Sequence, residues 1–230
     1  MRMSVSLPTL CRMGEDLVQL LKNGVCGSVA LAAVVWAFSG AALFGLVFGI
    51  WRSVGQSAYS GIKMPAMILA LVAVSGLINI MLAHVLGSRL SAAQTTTCVL
   101  LSLALTAVVL AAVSPVALLF AFQCPGPGDP GAMTSYRWLL AGNTGLVGFA
   151  GLVGNVRLHR LLCDLTGSKA MASRVLLSWI LVTGLAGCEL SWIFSPFLAR
   201  PDLPVPFLNP NAFKSNFFEY LWHTVSGTLM

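Results

Sequence analysis

Charged residues are absent from four long intervals of the sequence, between Lys22 and Arg52, Lys63 and Arg89, Arg89 and Asp129, and Arg137 and Arg157. A fifth, between Arg174 and Arg200, holds only Glu189. At about 1.5 Å of rise per residue, each is long enough to cross about 30 Å of hydrocarbon as an α-helix. In lipid every backbone amide must find its partner within the segment or within a closed barrel. The apolar runs lack the period-two alternation of barrel strands and are about twice as long as such strands need to be. The expectation is therefore an all-α, polytopic transmembrane bundle of five spans, with interfacial amphipathic helices at both ends.

The chain has 230 residues, so five spans leave little for a soluble domain, and one compact membrane unit is expected. It divides into an amphipathic cytoplasmic N-terminal helix (1–23), a five-span domain (24–200), and a Pro-rich segment with an aromatic interfacial helix (201–230). Because Glu15, Asp16 and Lys22 precede an apolar run far longer than a signal peptide's, the first span is read as a retained anchor. The formal charge of +6 requires no nucleic acid, since an excess of Lys and Arg on one membrane face accounts for it. With the N-terminus inside, Arg2, Arg12, Lys22, Arg89, Arg157, Arg160, Lys169 and Arg174 are cytoplasmic, against Arg52, Lys63, Arg137, Arg200 and Lys214 outside. That asymmetry gives the expectation of an N-terminus in the cytoplasm and a C-terminus outside, for a chain expected in a cell inner membrane.

Leu10, Met13, Leu17, Leu20 and Leu21 recur at helical spacing before the first span, with Glu15, Asp16, Gln19 and Lys22 elsewhere on the wheel, as in a helix lying on a bilayer surface. In span one (24–51), Ala33, Ala37, Ala41, Gly45 and Gly49 fall at intervals of four, a groove that lets another helix approach closely. In span four, Gly142, Gly145, Gly148, Gly151 and Gly154 recur every three residues, so this strip winds around the helix and offers itself to several neighbours. Pro65 is expected in the first turn of span two (64–86), and Ser114-Pro115 in the outer half of span three (97–122). Residues 157–174, the most basic segment, are expected to form a short interfacial helix against anionic headgroups.

The six cysteines show no metal-ligand spacing, and no P-loop, HExxH, GxSxG or GxGxxG signature is present. No enzyme activity, metal or cofactor is expected. Glu189 is the acid inside an apolar span, and such a group defaults to a functional hypothesis with a named partner. Asn79, His84, Asn143 and Asn155 are candidates, and the sequence does not choose among them. Glu189 is either a proton or cation site or a neutral acid donating a hydrogen bond to a neighbouring helix; the absence of companion acids in the other spans favours the second.

After Glu189 come prolines 196, 201, 204, 206 and 210, then Asn216 with Glu219 three residues on, a capping-box-like start. Phe213, Phe217, Phe218, Tyr220 and Trp222 would hold that last helix at the bilayer surface. The blocks YSGIKMP (59–65), LGSRL (86–90), Ser114-Pro115, GCELSWIFSPFLARP (187–201) and SNFFEYL (215–221) together resemble a family of uncharacterised bacterial multi-pass membrane proteins with the same ordered blocks. The resemblance covers about residues 45–222 and implies a membrane bundle without an established activity. In similar sequences an uncharged amide usually stands at position 189, which speaks against a required proton site there. The expected function is a non-enzymatic structural or accessory subunit of a membrane assembly, its partners the lipid bilayer and either further copies of itself or other membrane subunits. The alternative is a small secondary transporter or channel using Glu189 and the glycine-rich fourth span.

Overall fold

The computed structural model describes residues 6–210, 212–219 and 222. Up to Phe194 the described residues form seven helices in order: α1 Leu7–Arg12, α2 Glu15–Lys22, α3 Cys26–Ile50, α4 Val54–Val85, α5 Ala92–Gln123, α6 Ala132–Thr166 and α7 Lys169–Phe194. The described residues include no β-strand. The five from α3 to α7 are each long and apolar enough to cross a membrane.

Local chemistry explains where several of them begin and end. Ser91 and Gln94 form a reciprocal capping box at the start of α5, the Gln94 amide N–H donating to Ser91 Oγ at 3.2 Å and the Ser91 amide N–H to Gln94 Oε1 at 2.9 Å. Ser53 Oγ accepts from the Gln56 amide at the start of α4. Gly167 closes α6 in the left-handed region, at φ 69°, where a side chain would be strained.

The spans close into a ring in the order α3, α5, α6, α7, α4 and back to α3, with α4 also touching α5. The most extensive contacts are those of α3 with α5 and α4. One apolar cluster lies at the end carrying α2, around Leu17, Leu21, Val29, Leu101, Leu161 and Val175. A second lies at the opposite end, around Phe44, Phe48, Trp51, Leu139 and Leu198, the last contributed by the tail beyond α7.

Several boundaries differ from expectation. The N-terminal periodicity is interrupted at Met13, whose φ of 43° ends α1, and a separate α2 follows. Leu17 and Leu21 of α2 are fully buried in protein, so its apolar face is spent on the bundle. Span two begins at Val54, ten residues before Met64, and Pro65 lies in its interior. Residues 157–166 continue α6 to Thr166, so the segment 157–174 is no separate interfacial helix: Arg157 and Arg160 ride on the last turns of a 35-residue span that overshoots the hydrocarbon. At the C-terminus the Glu219 amide donates to Asn216 Oδ1 at 2.7 Å, capping a helical turn at residues 217–219. Tyr220 and most of the expected last helix lie outside the described residues.

Candidate functional site

The first three turns of α4 present Gln56, Ser60 and Lys63 at spacings of four and three, one face of a helix. All three are fully buried, because the segment beyond α7 folds back across them. Gln56 Nε2 donates to Pro196 O at 3.0 Å and to Phe197 O at 2.7 Å. Ser60 Oγ donates to Phe197 O at 2.5 Å, and Lys63 Nζ to Pro196 O at 2.9 Å. Beside them, Arg52 gives Nε to Arg200 O and Nη2 to Pro201 O and Leu203 O, at 3.2 to 3.3 Å. Each of these contacts reads a backbone carbonyl, the group a non-helical segment entering an apolar setting most needs to satisfy.

Aromatic contacts complete the strap. The Phe197 ring stacks on Phe48 of α3, centroids 6.5 Å apart and planes 4° off parallel. Phe207 meets Tyr59 edge-to-face at 5.2 Å, and Lys63 Nζ stands 5.3 Å from the Phe207 centroid and 6.0 Å from that of Tyr59. Further along, Asn209 Nδ2 donates to Trp192 O at 3.1 Å, and Trp192 Nε1 to Ser215 O at 2.9 Å. At the exposed rim Arg200 holds Asp202 through two hydrogen bonds of 3.0 and 2.7 Å, which lowers the pKa of that carboxyl from its ordinary value.

Gln56 Oε1 is buried and has no donor. Lys63 likewise has one hydrogen-bond acceptor and no carboxylate partner among the described residues, whose one ion pair is Arg200 with Asp202.

The polar residues singled out from the sequence are not brought together. Glu189 Oε2 accepts from the Phe217 backbone N–H at 3.2 Å, fastening the tail to α7. Asn79 Nδ2 donates to Thr183 Oγ1 at 3.3 Å and its carbonyl accepts from Trp179 Nε1 at 3.0 Å, tying α4 to α7, while its Oδ1 is buried without a donor. His84 Nδ1 lies 2.8 Å from Ile80 O on an exposed turn. Asn143 Nδ2 donates to Leu139 O one turn back at 2.8 Å, leaving Oδ1 buried and unpartnered. No hydrogen bond or ion pair joins any two of these four.

The small-residue stripes are placed unequally. Ala33, Ala37, Ala41, Gly45 and Gly49 are all buried. A Cβ at Gly49 would stand 2.5 Å from Gln56 O, and one at Gly45 would collide with Ser60 O, so α4 crosses α3 at those two positions. In α6, a Cβ at Gly154 would stand 2.5 Å from Thr106 Oγ1. A Cβ at Gly142, Gly145, Gly148 or Gly151 would meet nothing within 4 Å, and the first three of these are exposed. All six cysteines are free, Cys124 and Cys188 among them.

The sequence conceals the strap-reading face of α4, because Arg52 and Lys63 resemble loop charges flanking a span that starts at Met64. The available signal was the four-and-three spacing of Gln56, Ser60 and Lys63.

Five apolar spans closed into a ring define the class: an integral, multi-pass α-helical membrane protein. No protein-family model, no curated protein and no solved structure matches the chain.

Proposed function

We propose that this protein is a non-enzymatic structural or accessory subunit of a membrane assembly. The observation that carries the reading is the bond between Glu189 Oε2 and the Phe217 amide: the acid on which a transport mechanism would depend is spent on holding a backbone N–H. Asn79, His84 and Asn143 have separate local partners, which supports packing over a continuous polar path. The open glycines of α6 supply the kind of surface on which a helix from another subunit or a second copy approaches closely.

The proposed setting is a bacterial inner membrane, within the family that the sequence blocks resemble. The end carrying α2 faces the cytoplasm, because Arg12, Lys22, Arg89, Arg157, Arg160, Lys169 and Arg174 all belong to the segments at that end. Flux measurements in proteoliposomes test this reading against transport. The expected result is no proton or cation flux above that of empty vesicles; a flux abolished by Glu189→Gln would replace the subunit reading with the transporter.

A further inference from the structure

Among the described residues, Lys63 is a cation without an anion. Its side chain is fully buried, and among the described residues its ammonium has one carbonyl acceptor, Pro196 O, and two ring faces. Two of its three N–H donors therefore lack an acceptor, a costly state for a charge taken out of water. Arg52, the other cation on this stretch, is likewise bonded to neutral carbonyls.

The burial of Lys63 is only one side chain deep. The rings that cover it are themselves partly open, Tyr59 at 37% and Phe207 at 43% exposure, and the adjacent Ile62 is 59% exposed on the outer surface of α4. Phe207 belongs to the irregular segment after α7, between Pro206 and Pro210, so swinging it aside breaks no helix. The 32 residues of α4 rise about 48 Å against about 30 Å of hydrocarbon, an excess of about 18 Å, and Lys63 stands about 14 Å from the Val54 end, so a crossing that begins at the apolar run after Lys63 leaves it at headgroup depth.

We propose that Lys63 is the cationic floor of a lateral anion site, gated by the rings of Tyr59 and Phe207, and that its ligand is the phosphodiester headgroup of an anionic phospholipid. A phosphate oxygen entering beneath Phe207 takes the two free N–H donors and neutralises the charge; in a zwitterionic headgroup the choline cation competes for that oxygen, so a headgroup of net negative charge is held more tightly. The surrounding exposed apolar side chains take the acyl chains.

The test is amine labelling of Lys63, read by peptide mass spectrometry, on the full-length wild type and on Phe207→Ala in nanodiscs. Three conditions are compared: phosphatidylcholine, phosphatidylglycerol, and phosphatidylcholine with added glycerol phosphate. Phe207→Ala should label readily in phosphatidylcholine and about fivefold more slowly in phosphatidylglycerol, the factor matching about 1 kcal/mol per cation–headgroup contact. The wild type should label slowly in both. Equal labelling of Phe207→Ala in the two lipids overturns the lipid site, and equal protection by glycerol phosphate makes the ligand a soluble phosphate instead. If Phe207→Ala labels as slowly as wild type in every condition, the rings are not the gate and the proposal fails.

Discussion

Glu189 Oε2 stands 3.2 Å from the backbone nitrogen of Phe217, so a carboxyl near the C-terminal end of the fifth span is the acceptor that pins a chain segment 28 residues further on. A glutamine at this position keeps a carbonyl acceptor of the same reach. Glu189→Gln should therefore hold the tail and leave the thermal midpoint nearly unchanged, whereas Glu189→Ala strands the Phe217 N–H and should cost about 1 to 3 kcal/mol. Thermal unfolding of the two variants in detergent decides it; equal loss in both would mean that the ionised carboxylate itself is required.

The strap makes a separate prediction, because its carbonyls are held by donors in the α3–α4 turn and on α4 that lie far from it in sequence. Gln56→Ala removes donors to two carbonyls, and Arg52→Ala removes donors to three. Either change should raise the rate of limited proteolysis within 195–210 by about tenfold, the equivalent of about 1.4 kcal/mol of local opening. An unchanged cleavage rate would show that the apolar contacts of Phe197 and Leu198 suffice.

The glycines divide into two groups that a single substitution separates. A methyl group at Gly45 or Gly49 meets the α4 backbone, which cannot give way as a flexible side chain can, so alanine there should destabilise by about 1 to 3 kcal/mol. Gly148→Ala meets nothing in the chain and should fall within about 0.5 kcal/mol of wild type. Unfolding measured in dilute detergent, where partners are absent, is the check.

That contrast marks what was legible in the sequence. The number of spans followed from charge-free intervals, because lipid penalises charge along the whole crossing. The four-residue spacing in α3 likewise corresponds to a buried face, since that spacing keeps small side chains on one side of a helix. The three-residue spacing in α6 carried no such constraint, and only Gly154 of its five meets another helix of this chain. The strap was hidden for a different reason: its acceptors are the backbone carbonyls of Pro196, Phe197, Arg200, Pro201 and Leu203, and backbone atoms leave no residue signature. Arg157 and Arg160 do not mark a boundary, because a helix longer than the bilayer is thick can carry charge on its last turns without ending.

Asp202 provides a pH control. Its folded pKa is depressed by Arg200, so any stabilisation is fully present above the unfolded carboxyl value and disappears as the pH falls through the lower folded value. Because both side chains are about half exposed, solvent screens the pair. Asp202→Asn should leave the thermal midpoint at pH 7 unchanged, and lowering the pH from 7 to 5 should have no effect that this variant removes.

The membrane orientation is open to reporter fusion. A periplasmic phosphatase joined after Leu165 should be silent, and one joined after Gly128, in the turn between α5 and α6, should be active. The reverse pattern would invert the topology.

The most direct measurement of the central claim is the mass of the protein purified in mild detergent from its native membrane, for wild type, Glu189→Gln and Gly148→Leu. A structural subunit should emerge in a stoichiometric complex with other membrane subunits or further copies of itself. Glu189→Gln should keep that complex, and Gly148→Leu should lose it while remaining folded as a single chain. A wild-type protein that runs as one folded chain without partners, with a mass unaltered by Gly148→Leu, would contradict the account.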